Sequence, residues 1–111
     1  MPLNASALPE LRLAIVSPDV ESPLAVATLL ADCNRARILA LLRDGPHCVC
    51  ELTAALGERP NNVSNHLARL REAGLVTTSQ ISQDTRRVYY ERNETACAAA
   101  LAQLRTLLEP A

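Results

Sequence analysis

Apolar residues recur along this chain at three- and four-residue intervals, in stretches bracketed by residues that start or stop helices. The first helix is expected from Ser22-Pro23, with the serine as N-cap, and it carries Leu24, Val26, Leu29 and Leu30. Asp32 caps a second helix, whose buried stripe is Ile38, Leu39, Leu41 and Leu42 and which Asp44-Gly45-Pro46 ends. A third, short helix begins at Cys48 or Cys50 and runs to Leu56, where Gly57 stops it. The fourth starts near Pro60-Asn61, sets Val63, Leu67 and Leu70 on one face and ends at Gly74. From Leu75 the pattern changes to two strands, residues 75–81 and 86–92, around the polar turn Ser82-Gln83-Asp84-Thr85. A last helix follows from about Asn93, with Cys97, Leu101, Leu104 and Leu108 spaced as a seam that can pair with a second copy. Residues 1–22, with Pro2, Pro9 and Pro18 and no sustained period, are expected to form a partly ordered arm.

Two helices joined by a glycine-containing turn, then a hairpin and a closing helix, describe a mainly α fold with a small β-hairpin wing. The expected architecture is a winged helix-turn-helix, residues 23–111, that dimerises. Composition agrees: 49% of the 111 residues are hydrophobic but only 2% are aromatic, with no Phe or Trp. Such a core is built from Leu, Val, Ile and Ala, which favours packed helices over a sandwich. One domain of this size gains stability by pairing. No run of about 18 apolar residues marks a membrane span. The N-terminus lacks the basic and apolar regions of a secretory signal, so a cytoplasmic protein is expected. Four cysteines in such a chain read as free thiols or metal ligands.

The net charge of −1 hides an asymmetry. Residues 59–92 hold six arginines against three acidic residues, a net +3, whereas residues 1–58 hold four against seven, a net −3. The basic stretch coincides with the second half of the helix-turn-helix and the wing, where a phosphate-contacting surface would lie.

Four blocks carry a resemblance that none carries alone. They are Leu30-Ala31-Asp32 with residues 35–42; Cys48-Val49-Cys50-Glu51-Leu52; Val63-Ser64-Asn65-His66-Leu67 through Leu70-Arg71-Glu72-Ala73-Gly74-Leu75-Val76; and Arg87-Val88-Tyr89-Tyr90. In that order and spacing the chain resembles the ArsR/SmtB family of metal-sensing repressors over residues 24–108. The resemblance implies a dimeric winged helix protein, paired through its N-terminal and C-terminal helices. It further implies binding to double-stranded operator DNA near metal-resistance genes, with release when a metal or metalloid binds.

The residues support a DNA-reading role on their own terms. A helix entering the major groove needs short polar groups on the exposed face of its N-terminal half. Asn61, Asn62, Ser64, Asn65 and His66 supply them between the apolar Val63 and Leu67, and Arg69, a turn further on, suits a phosphate. Arg86 and Arg87, with Gln83 and Thr85, place cation and amide chemistry on the wing for backbone or minor-groove contact. Arg92 reads as a solvated charge.

Cys48 and Cys50 are expected to hold a thiophilic ion. Within a helix, residues i and i+2 point about 200° apart, whereas in extended backbone they share a side. An ion gripped by both sulfurs therefore favours an unwound first turn, which would couple the ion to the recognition helix. Two thiolates are too few for a complete site: arsenite or lead takes a third ligand, cadmium or zinc four. Relatives that sense arsenite often carry a third cysteine three residues after the second, where this chain has Thr53. Those that sense cadmium bring cysteine from an N-terminal arm, which here has none. Those that sense zinc use Asp and His on the last helix, where this chain has Ala96, Leu107 and Pro110. Cys33, His47 and Cys97 remain as further ligands, beside exogenous thiol or water. The inducers expected are arsenite or antimonite first, cadmium or lead next, with no organic cofactor. A redox or persulfide sensor on the same thiols is the alternative. No glycine-rich loop, carboxylate pair or orienting acid accompanies His47, Cys48 or His66, so no enzyme is expected.

Overall fold

The computed structural model describes residues 23–79 and 87–110. Helix α1 spans Pro23–Leu30, α2 Cys33–Leu41, α3 Val49–Leu56, α4 Pro60–Glu72 and α5 Glu94–Leu108. Three short strands accompany them: β1 at His47–Cys48, β2 at Val76–Ser79 and β3 at Tyr89–Arg92. They form one antiparallel sheet in the order β1-β3-β2. This is a winged helix-turn-helix, with α3 and α4 as the helix pair and β2 and β3 as the stem of the wing.

Local chemistry explains the boundaries. Asp32 caps α2, its Oδ1 accepting from the backbone N–H groups of Asn34 at 2.8 Å and Arg35 at 3.3 Å. Asn93 caps α5 in the same way, accepting from the N–H of Ala96 at 3.1 Å. Gly57 closes α3 at φ 64°, a left-handed conformation that glycine adopts without steric cost, and its N–H bonds the Thr53 carbonyl at 2.9 Å. The core gathers one stripe from each helix: Val26, Ile38, Leu42, Leu52, Val63, Leu67, Leu70 and Ala100, closed by Leu75 and Val76.

Four details depart from the sequence reading. The second helix stops at Leu41, and Leu42–Asp44 tightens into a 3-10 turn before Gly45. The strands start later than expected, at Val76 and Tyr89, while residues 80–86, with the turn at 82–85, lie outside the described residues, as do residues 1–22. Strand β1 is new. It is two residues long, so no alternation could announce it, and it exists because β3 offers a free edge, pairing His47 with Tyr90 and Cys48 with Tyr89. The seam on α5 divides: Cys97 and Leu104 pack against the chain's own core, whereas Leu101 and Leu108 are 55% and 79% exposed. Among the described residues no helix is long and apolar enough to cross a membrane.

Candidate functional site

The two thiols meet at the junction of β1 and α3. Cys48 is the last residue of β1 and the N-cap of α3, with extended backbone (φ −88°, ψ 168°), and Cys50 follows in the first helical turn. Their Cα atoms are 5.4 Å apart and their sulfurs are paired as a disulfide. Cys48 is buried and Cys50 exposed, so the pair sits at the surface with one sulfur backed by the fold. The helical spacing argument fails here for a definite reason: Cys48 stands outside the helix. An extended N-cap turns its side chain toward that of Cys50 while α3 stays regular from Val49 onward, and no unwinding is required for the sulfurs to share a partner.

Glu51 fixes the junction. Its Oε1 accepts from the Cys48 backbone N–H at 3.1 Å, and its Oε2 lies 3.6 Å from Nδ1 of His47. That N–H bond, and after it the neighbouring imidazole and Arg87, hold the Glu51 carboxyl below the usual glutamate range. One turn beyond Cys50, the Thr53 hydroxyl oxygen is buried without a hydrogen-bond partner among the described residues. The other two cysteines stand apart from this place. Cys33 is exposed at the start of α2. Cys97 is half-buried on α5 with its sulfur 3.8 Å from the Leu75 carbonyl, and burial pushes its thiol pKa up. Among the described residues no group of three or more His, Cys, Asp or Glu side chains is arranged to hold a metal ion. The structure thus brings Cys48, Cys50, His47 and Glu51 into one neighbourhood, and leaves Cys33 and Cys97 out of any such group.

Helix α4 buries Val63, Leu67 and Leu70 and exposes Asn61, Asn62, Ser64, Asn65 and Arg69. His66 behaves differently. Its side chain is 16% exposed and turned toward the start of α2, with Nε2 3.8 Å from Asp32 Oδ1 and Nδ1 3.4 Å from Arg35 Nη1. Asn62 is partly engaged as well, its Nδ2 donating to Glu58 Oε1 at 2.9 Å. Asp32, Asn34 and Arg35, with Glu58 from the turn before α4, therefore form a polar seat for α4 that the sequence did not announce, since the first three lie far from α4 along the chain. Arg87 is exposed just before β3, while Arg86 falls outside the described residues. Arg92 is no solvated charge: its guanidinium donates to the Leu39 carbonyl at 3.4 Å and pairs with Glu94 at 3.0 Å, fastening β3 to α2 and α5.

With this geometry established, the relatives of the chain can be placed. Residues 32–78, from the cap of α2 to β2, match the model of the bacterial regulatory proteins of the arsR family. The HTH-type transcriptional regulator CmtR of Mycobacterium tuberculosis is 42% identical over 85 residues, which cover 76% of this chain and 70% of that protein. The chain belongs to the ArsR family. The arsenic resistance transcriptional regulator ArsR1 of Pseudomonas putida is 48% identical over 59 residues, 52% of this chain and 46% of that protein's own length. A crystal structure of a possible transcriptional regulator for arsenical resistance superposes with a TM-score of 0.67 at 31% identity, covering 80% of this chain and 86% of that one. Membership in a family of DNA-binding regulators makes this chain a transcriptional regulator and not an enzyme.

Proposed function

We propose that this ArsR-family regulator represses transcription by binding operator DNA as a cytoplasmic homodimer, and lets go when a thiophilic ion binds the Cys48–Cys50 pair. Arsenite or antimonite is the favoured inducer, cadmium or lead the next. The observation that carries the reading is the meeting of the two sulfurs at the first turn of α3, the helix that a short turn joins to α4 and its exposed polar face. Soft sulfur without a cluster of hard oxygens selects against magnesium, manganese and calcium. Cys48 and Cys50 supply two ligands as thiolates, and their position at a helix N-terminus favours the deprotonated form. His47 stands beside them, and Cys33 or Cys97 of a second copy, a small thiol or a water completes the set.

The coupling follows from the two duties of Cys48. Its backbone pairs with Tyr89 in the sheet and its N–H is tied to Glu51 at the head of α3. Drawing its sulfur onto an ion shifts both the strand that leads to the wing and the helix that supports α4. DNA-bound and ion-bound chains then prefer different backbone positions, which is what a coupling free energy requires. On the DNA side, Asn61, Asn62, Ser64 and Asn65 face bases, and Arg69, Arg86 and Arg87 face phosphates.

The same juxtaposition supports a second reading, in which the two thiols respond by losing two electrons and two protons to an oxidant and joining as a disulfide. Anaerobic titration of the reduced protein separates the two: an ion that releases operator without oxidant establishes the first. Cys48→Ser with Cys50→Ser is expected to bind operator as the unsubstituted protein does and to stay bound when ion is added. A double variant that still releases DNA places the ion elsewhere. Ion-to-dimer stoichiometry, with X-ray absorption counting sulfur neighbours, identifies the remaining ligands.

A further inference from the structure

The carboxylate of Glu58, in the turn between α3 and α4, gathers donors from two helices. Its Oε2 accepts from Asn34 Nδ2 of α2 at 3.0 Å, and its Oε1 accepts from Asn62 Nδ2 of α4 at 2.9 Å and from the Arg59 N–H at 3.1 Å. The Asn62 amide foremost, then the Arg59 N–H, hold the Glu58 carboxyl below the usual range, so it is ionised in neutral and mildly acidic solution. An ionised carboxylate accepts and never donates, so each amide facing it must present its NH2 group. For Asn62 this removes the two-fold ambiguity of an amide end. Nδ2 faces the turn, Oδ1 faces away from it, and one N–H remains uncommitted to Glu58. An outward carbonyl oxygen beside an N–H complements the N6 amino group and N7 of adenine in the major groove. His66, one turn further along the same flank of α4, is spent on Asp32 and Arg35.

We propose that Glu58 is a specificity-determining positioning residue, locking the Asn62 amide with its adenine-reading edge outward so that the regulator demands an A·T pair at one place in each half-site. The inference rests on α4 being the helix that reads DNA. The test selects operators from randomised duplexes with the full reduced protein, then measures affinity for every single-base variant of the selected site. The unsubstituted protein discriminates at one A·T position by roughly 5- to 150-fold, the range of a good bidentate contact. Asn62→Ala abolishes discrimination at that position. Glu58→Gln has the same shape but can face Asn62 with either end of its amide, and it erases the preference at that same position while the remaining positions keep theirs. A merely structural Glu58 would weaken binding equally on all duplexes. That result, an unchanged preference in Glu58→Gln, or a change at a position other than the one lost in Asn62→Ala overturns the proposal. Failure of the unsubstituted protein to select any duplex overturns the assignment of α4 as the reading helix, and the role of Glu58 with it.

Discussion

His66 shows how far a residue type can mislead when its partner lies elsewhere in the chain. By spacing it belongs to the polar face of α4, and nothing near it in sequence argues otherwise. The partners that turn it inward, Asp32 and Arg35, precede it by about thirty residues and meet it only once α2 packs on α4. The thiol pair teaches the complementary lesson. Its place was legible because two cysteines in four blocks of resemblance stand out, but its geometry was not, because helical periodicity does not govern an N-cap residue. Two carboxylates of the α4 seat also set an acid limit on stability. Burial opposes ionisation of Asp32, yet the N–H groups of Arg35 and Asn34 outweigh it and lower its pKa from the ordinary 3.8; Glu58 is lowered from 4.5, foremost by Asn62. Both groups bind fewer protons folded than unfolded at mildly acidic pH. Their contribution is therefore complete above those ordinary values and is lost as pH falls through the lowered ones. Thermal melts should be flat from about pH 7 to 5 and fall steeply below about pH 4, with a shallower fall in Glu58→Gln; an equal slope in that variant would remove Glu58 from the balance.

The helices were legible in the sequence because each carries its own punctuation: Asp32, Gly57, Pro60 and Asn93 stand where the structure starts or stops α2, α3, α4 and α5. Strand β1 was not, since two residues have no period and its existence depends on β3. Yet β1 is the element that ties the thiols to the wing. If ion binding acts through both of its neighbours, hydrogen exchange after anaerobic addition of arsenite should change at the amides of the α3 N-terminus and at Tyr89 and Tyr90 together. A change confined to α3 would restrict the route to the helix pair. The interior of α4 is expected to be intolerant: Leu67 is fully buried, and Leu67→Ala should cost about 2–5 kcal/mol in denaturant unfolding.

At the scale of the molecule, the described residues gather a buried apolar core but leave one end of α5 bare. Leu101, Leu107 and Leu108 are more than half exposed, and Leu24 of α1 is 37% exposed, on elements that pack against each other. The homodimer proposed above, reading two half-sites, would pair through such a surface. Leu101→Glu with Leu108→Glu is expected to leave the secondary structure intact, shift the sedimentation equilibrium toward monomer and reduce operator affinity at least tenfold. A variant that stays dimeric would move the pairing surface away from α5. Cys97 and Leu104, which serve the chain's own core, should instead affect folding when replaced.

The capping position of α3 has a consequence for how responsiveness and robustness trade against each other. Serine, threonine, aspartate and asparagine are the strong N-caps, and Asp32 and Asn93 fill that role for α2 and α5. At α3 a cysteine holds the place, and the Glu51 carboxylate, accepting from its N–H, supplies the other half of the cap. The start of α3 is thus fastened by the same residue that carries one of the two sulfurs, so any partner taken up by that sulfur competes with its duty as a cap. Serine at position 48 should therefore steady this helix start while removing the sulfur, which thermal melts of the reduced Cys48→Ser protein would show as a raised midpoint.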